Sequence, residues 1–320
     1  MELFDKKILS KIEYELKKYV DGDGELYDAS KHLLLSGGKR IRPYLAILTY
    51  MLKRDDLNEI LPPAVSVELL HNYTLIHDDI MDNDNERRGK PTVHTIYGVP
   101  LGILAGDLLF TKSFEAILKI NDPIKLKGIL NTLVDASVKV CEGQAMDMKF
   151  EEKDYFPTID EYFEMISKKT GALIIAPIKI GGIMADFNKE EMDSLIEYGK
   201  RIGLTFQIQD DVLDLIGNEK ILGKPVGSDI REGKKTIIIL HALQTLPETK
   251  KERLLSILGN KSCSDEGIKE CIDMLSDSIE YTKEIMKKAT DEAKDYLKIF
   301  NKDKRKRLED MADFIVERVY

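Results

Sequence analysis

The chain has no tryptophan, only 7% aromatic residues and three cysteines among its 320 positions. Cys141, Cys263 and Cys271 are too few and too scattered for a disulfide framework or a thiolate metal site, so the expected compartment is the reducing cytoplasm. Positive charge is not in excess. The net charge of −9 is the opposite of the basic footprint that general nucleic-acid binding requires. Long apolar runs are also missing. The longest, GALIIAPIKIGGIMA at 171–185, is too short for a bilayer and carries Pro177 and Lys179, so no transmembrane segment is expected. The N-terminus, MELFDKKILSKIEYELKKYV, spreads charge throughout and lacks the apolar centre of a secretory leader. With 43% apolar and 33% charged residues, the composition is that of a folded, soluble protein.

Strand signals are nearly absent too, and helical periodicity takes their place. Phe4, Ile8, Ile12 and Leu16 fall at fourfold spacing, with Leu9, Tyr19 and Val20 widening the stripe. Pro62-Pro63 predicts a helix start before the apolar stretch from Val65 to Ile80, and Pro100 predicts another after the Gly98 turn. Two capping signals follow. TIDE places Thr158 three residues before Glu161, and NKEE launches a helix through FQIQDDVLD. The helix launched by TIDE runs through KKTGALIIAP and should bend at Gly171 and Pro177. A Gly- and Lys-rich loop is expected near 217–235, and a last amphipathic helix carries Met311, Phe314 and Ile315 after a KDKRKR run that reads as a solvated charged face. No linker or low-complexity tract divides the chain. The expectation is ten to twelve helices in one domain over residues 1–320.

Against this apolar helical background, LIHDDIMDNDNERRGKPTVH at 75–94 and FQIQDDVLDLIG at 206–217 each hold Asp-Asp-x-x-Asp. In a helix, Asp78 and Asp82 lie one turn apart with Asp79 beside them, and Asp210, Asp211 and Asp214 repeat the pattern. Like charges so placed repel, and burying them unpaired is costly, so positive charge is expected there. One such motif alone reads equally well as a solvated helix end. Two, in segments this apolar, favour a hard oxygen-seeking ion, Mg²⁺ or Mn²⁺. Mg²⁺ takes few carboxylates and shares its shell with substrate phosphates, so two clusters facing each other across a helical bundle would hold several ions around one polyphosphate. Cationic residues support phosphate. SGGKRIRP sets Lys39, Arg40 and Arg42 after a glycine pair, Arg87 and Arg88 follow the first acidic motif, and Lys224 and Lys234 follow the second.

The motifs GGKRIRP, LIHDDIMDNDNERRGKPTVH, LAGDLLF, EGQAMDM, KKTGAL, FQIQDDVLD and GKPVGSDIREGKKT, in this order, resemble the trans-isoprenyl diphosphate synthase (polyprenyl synthetase) family over nearly the whole chain. The resemblance implies an all-α, isoprenoid-synthase-type bundle around a deep central cavity, assembled as a homodimer. It implies head-to-tail condensation of an allylic diphosphate (dimethylallyl, geranyl or farnesyl) with isopentenyl diphosphate, using three Mg²⁺ per site, with Mn²⁺ able to substitute. By the same resemblance, Arg87, Lys169, Lys224 and Lys234 contact the allylic diphosphate, and Thr170, Gln207 and the Lys169 carbonyl stabilise an allylic cation. Isopentenyl diphosphate is expected on Lys39, Arg42, His71 and Arg88; His71 on its own would read as a structural histidine.

Product length in the family follows the residues one to three turns before the first acidic motif. Tyr73 lies five positions before Asp78, Thr74 four, Leu70 eight and Val67 eleven. A bulky Tyr73 beside a small Thr74 resembles the archaeal-type geranylgeranyl synthases. The twenty-carbon product is the expectation, with farnesyl diphosphate as the alternative; Tyr73 also reads as ordinary helix packing. Three other readings stand beside it: a non-catalytic subunit of a heteromeric synthase, which typically loses acidic motifs; a metal phosphohydrolase built on the His77-Asp78 doublet; and a terpene cyclase, which typically lacks the second motif and GGKRIRP.

Overall fold

The computed structural model describes residues 3–217 and 225–317. Its elements are almost all helical, and they gather into two compact units, the first comprising Met1–Ser137, Leu173–Ile196 and Leu297–Asp310, the second Val138–Ala172, Glu197–Tyr296 and Met311–Tyr320.

The first unit contains α1 (Lys6–Tyr19), α2 (Glu25–Leu34), α3 (Ile41–Tyr50), α4 (Leu61–Met81), α5 (Val93–Tyr97) and α6 (Val99–Ile117). The expected apolar stripe buries Ile8, Ile12, Leu16 and Tyr19 of α1. Proline stands in the first turn of both α4 and α6, where its missing N–H costs nothing. α4 is buried on nearly every side from Leu61 to Leu70, so its periodicity is weak, as expected of a central helix. Between α4 and α5 runs a two-stranded hairpin, β1 (Glu86–Arg87) and β2 (Lys90–Pro91).

The second unit holds the end of α7 (Pro123–Phe150), α8 (Ile159–Ile166), a π-helical turn (Ser167–Gly171) and most of α10 (Lys189–Ile216), while α9 (Ala172–Met184) belongs to the first unit from Leu173 on. α11 (Ser228–Glu232), α12 (Ile237–Thr245), α13 (Glu248–Ile257), α14 (Asp265–Met274) and α15 (Ser276–Tyr296) follow. α16 (Lys302–Glu317) closes the described chain. Tyr162, Ile166, Ile208, Val212, Ile237 to Leu240, Leu254 and Leu275 form the core of this unit. The Thr158–Glu161 capping box starts α8, and Asn188 and Glu191 exchange reciprocal backbone bonds at the start of α10.

Sixteen α-helices occur among the described residues, more than the expected ten to twelve. α5 and α11 are five residues each, shorter than any window in which periodicity can be read. The bend expected at Gly171 is the π-helical turn, while Pro177 sits inside α9. The KDKRKR run lies on α16, where Lys306 and Arg305 pair with Asp310 and Glu309 one turn on and Lys304 reaches Asp55. Lys224 lies outside the described residues.

Candidate active site

Asp78 and Asp79 occupy the last turn of α4, and Asp82 caps it, its N–H bonded to the Asp78 carbonyl. Asp82 is exposed, Asp78 half-buried and Asp79 buried. The hairpin that follows turns on Arg88 (φ 56°) and Gly89 (φ 69°), the paired left-handed geometry of a type I′ turn. That turn sends consecutive arginines to different partners. Arg87 Nε donates to Asp79 Oδ1 at 2.5 Å, and its Nη2 lies 3.7 Å from Asp78. The other Asp79 oxygen is buried and accepts no hydrogen bond. Burial lifts the Asp79 carboxyl to about 6, against the pull of Arg87.

Arg88 instead donates to the Gly37 carbonyl at 2.5 Å and stacks so closely on Gly38 that a Cβ there would meet its Nη1 at 3.2 Å. Gly37 and Gly38, at φ 101° and 134°, adopt backbone that other residues resist. Half-buried Arg42 and exposed Lys39 flank this loop. His71 on α4 completes the group. Burial, then the charges of Arg42, Arg88, Arg87 and Arg40, hold its imidazole well below the ordinary histidine range and therefore neutral.

Arg40 departs from the sequence expectation. It is 3% exposed and turns inward, pairing with Glu13 at 2.6 Å and Glu68 at 3.0 Å and donating to the Leu34 carbonyl at 2.6 Å. Its own left-handed backbone (φ 51°) precedes the start of α3. Of the three cations in KRIR, one is therefore structural.

In the second unit an open cleft is lined by Asp147, Glu151, Lys169, Gln207, Asp210 and Lys234, among others. Lys169 Nζ donates to Asp147 at 2.5 Å. It stands on the π-helical turn, which approaches α7 so closely that a Cβ on Gly143 would meet the Lys169 backbone nitrogen at 2.3 Å. Thr170 Oγ1 donates to Gln207 Oε1 at 2.6 Å, and Gln207 Nε2 donates to Asp211 Oδ1 at 3.0 Å. Asp211 Oδ2 accepts from the buried Tyr162 hydroxyl. Burial and the charge of Asp229 push the Asp211 carboxyl up to about 8, while its two donors pull it down. Asp214 is buried and accepts from Ser228 Oγ and the Asp229 N–H at 3.1 Å. The three carboxylates of the second motif thus differ in setting: Asp210 is half-buried on the cleft, and the other two are buried.

Tyr73, on α4, sets its ring edge-on to His77 at 4.7 Å and tilted on Phe110 of α6 at 5.0 Å. Thr74 spends its hydroxyl on the His71 carbonyl. Leu70 and Val67 are fully buried. His77 sits 3.1 Å from the Ile103 carbonyl and 3.7 Å from Asp107, not among further imidazoles, which leaves the phosphohydrolase reading without ligands.

Sequence reading did not single out Tyr162, Asp147, Asp229 or Lys235, all on the cleft. Asp147 and Asp229 lie inside the quoted EGQAMDM and GSDIREGKK motifs, which were the available signal. Tyr162 is an apolar-face residue of an amphipathic helix, and nothing local marks it. Lys235 is buried and donates to the Phe150 and Glu152 carbonyls at 2.6 and 2.8 Å.

Among the described residues no three histidine, cysteine or acidic side chains form a complete metal cage. The donor chemistry nevertheless suits a hard divalent cation that shares its shell with phosphate oxygens and water: only carboxylates are offered, and Asp79 keeps a buried oxygen without a hydrogen bond. No helix among those residues is long and apolar enough to cross a membrane.

Comparison with known proteins agrees with this chemistry. Residues 23–275 match the Polyprenyl synthetase family. The short chain isoprenyl diphosphate synthase of Methanocaldococcus jannaschii is 68% identical over 318 residues, covering 99% of this chain and 97% of that protein. The crystal structure of geranylgeranyl pyrophosphate synthetase from Pyrococcus horikoshii superposes with a TM-score of 0.92 at 46% identity, covering 98% and 97% of the two chains. Geranylgeranyl pyrophosphate synthase from Corynebacterium glutamicum, solved with isoprenyl diphosphate and magnesium, gives 0.90 at 27% identity, covering 98% and 100%. Carboxylate-tipped and arginine-bearing helices, matched over almost the full length to enzymes that build prenyl chains, make this chain a member of the polyprenyl synthetase family, with the all-helical isoprenoid-synthase fold and short-chain isoprenyl diphosphate synthase activity.

Proposed function

We propose that the enzyme extends allylic diphosphates with isopentenyl diphosphate to the twenty-carbon geranylgeranyl diphosphate. The observation that carries the substrate assignment is the cationic Gly37-Gly38 loop, where Arg88 donates to the Gly37 carbonyl and packs on Gly38, a setting suited to a diphosphate held directly by cations. Lys39, Arg42, His71 and Arg88 take isopentenyl diphosphate in this reading. Arg87, Lys169, Lys224 and Lys234 take the allylic diphosphate. Asp78, Asp79, Asp82 and Asp210 would hold Mg²⁺, with Asp211 and Asp214 behind Asp210. When bound, the metal neutralises diphosphate charge and makes it a better leaving group.

The chain's own residues do the rest. Lys169, fixed by Asp147, presents a cation to the leaving diphosphate. The oxygens of Thr170 and Gln207 offer lone pairs to the allylic cation left behind. The alkene of isopentenyl diphosphate attacks that cation, and the proton lost goes to the departing diphosphate. Tyr73 and Phe110 support a twenty-carbon limit by standing as one aromatic block below Asp78. The family match over residues 23–275 supports reading residues 1–320 as one polyprenyl synthetase domain. Exposed Leu130, Val134, Val138 and Met148 along α7 fit a homodimer, which light scattering after gel filtration tests. The cysteine pattern fits the cytoplasm.

The deciding experiment is mass analysis of products from purified protein with Mg²⁺, isopentenyl diphosphate and dimethylallyl, geranyl or farnesyl diphosphate, with Asp79→Ala/Asp211→Ala as the blank. A twenty-carbon product that vanishes in the blank supports the assignment. Accumulation at fifteen carbons moves it to farnesyl diphosphate. No elongation with any primer removes it and leaves a partner-dependent subunit.

A further inference from the structure

Three donors in the second unit point the same way. Thr170 gives its hydroxyl proton to Gln207, Gln207 gives an amide proton to Asp211 Oδ1, and Tyr162 gives its hydroxyl proton to Asp211 Oδ2. Oδ1 accepts both when Asp211 is ionised and when its proton sits on Oδ2 facing the Tyr162 oxygen, so the Gln207 amide meets Asp211 with its NH₂ end. That fixes its carbonyl toward Thr170, and Thr170 must then donate. Every hydrogen in the network runs inward, and the Thr170 and Gln207 oxygens keep their remaining lone pairs for the reacting centre.

Asp211 is the sink of this network, and Tyr162 is what holds the sink in place. Tyr162 is 2% exposed, among the largest fully buried side chains, and set by the core that includes Ile166, Ile208 and Val212. Gln207 and Asp211 share one face of α10, one turn apart, so the amide reaches Asp211 without leaving its helix. From this geometry we infer that Tyr162 is a positioning residue for the condensation, acting through Asp211 to set the orientation of Gln207 and hence the polarity of Thr170. Without the phenol, Asp211 Oδ2 loses its buried donor, the carboxylate turns to seek another, and Gln207 is free to invert and point N–H groups at a developing cation. The inference rests on the condensation reading, and it gives Asp211 an orienting task in place of the metal contact that its motif suggests.

The test is a double-mutant cycle with Tyr162→Phe and Gln207→Ala, measuring kcat and KM for both diphosphates and the thermal midpoint. Loss of one oriented dipole predicts a fall of about tenfold in kcat for Tyr162→Phe, the equivalent of about 1.4 kcal/mol, with KM for both substrates within about twofold. In the Gln207→Ala background the same change should cost less than about twofold, because its route of action is gone. Equal losses in both backgrounds, or an unchanged kcat in a folded Tyr162→Phe enzyme, overturn the inference. So does a rise in KM for the allylic diphosphate with kcat intact, which would return Asp211 to metal binding. Should Tyr162→Phe fail to fold, Asp211→Asn carries the same cycle with Gln207→Ala. Wild-type turnover is the internal reference: its absence defeats the condensation reading, while its presence with an indifferent Tyr162→Phe defeats only this inference.

Discussion

Replacing Tyr73 with alanine should lengthen the product by one isoprene unit. Five positions along α4 at about 1.5 Å each set Tyr73 about 7.5 Å from Asp78 along the helix axis. Its ring rests on His77 at 4.7 Å and Phe110 at 5.0 Å, and Phe110 in turn on Phe114 at 5.0 Å. Truncation at Cβ removes one layer of this stack and leaves the fully buried Leu70, one turn further on, as the next barrier on α4. One turn is about 5.4 Å, room for one five-carbon unit and not two, so the expected main product moves from twenty to twenty-five carbons. The ring is only half-buried, so the cost should be about 2 kcal/mol, below the 3–5 kcal/mol of a fully buried aromatic, and the thermal midpoint should fall by about 3 °C. Mass analysis with farnesyl diphosphate as primer reads the product, and Tyr73→Phe, which keeps the ring, should retain twenty carbons. An unchanged product in folded Tyr73→Ala enzyme would remove Tyr73 from the length-setting role and leave it a packing residue.

Arg40→Met should destabilise the protein by about 3–5 kcal/mol in urea unfolding by stranding buried Glu68, and adding Glu68→Leu should restore most of that; a loss below about 1 kcal/mol refutes the buried network. Lys39→Ala, at the residue next to Arg40 but exposed, should instead raise KM for isopentenyl diphosphate and leave the unfolding midpoint unchanged. Gly143→Ala forces a Cβ into the Lys169 backbone, so activity should fall together with about 1–3 kcal/mol of stability; wild-type behaviour would show that α7 and the π-helical turn can separate freely. Because the folded-state pKa of His71 lies below its unfolded value near 6.5, its contribution is present above that pH and lost as pH falls. His71→Gln should therefore flatten the decline in unfolding free energy between about pH 7 and 5, and identical slopes would contradict this. Buried Cys271, whose thiol burial pushes up to about 12, should react with an aromatic disulfide reagent only on unfolding; a fast reaction in the native protein would contradict its burial.

Much of this molecule was legible before any coordinates. Prolines and capping signals marked the starts of α4, α6, α8 and α10 because they act on the few residues around them, and the Asp-rich motifs pointed to a candidate metal-and-phosphate site because clustered carboxylates in apolar helices are costly without positive charge. Sequence spacing could not say which member of a motif faces the reaction. Arg40 and Arg42 are two residues apart, yet a left-handed backbone at Arg40 and the buried Glu68 on another helix turn one inward. Arg87 and Arg88 are adjacent, and only the type I′ turn gives one to Asp79 and the other to Gly37. Asp210, Asp211 and Asp214 look equivalent in a string, but Tyr162 on α8 and Ser228 beyond α10 claim the latter two. Residue types and local periods fix what a segment can do, since they depend on neighbours along the chain. Which carboxylate is desolvated, and which donor reaches it, depends on groups distant in sequence, and tertiary packing alone brings those together.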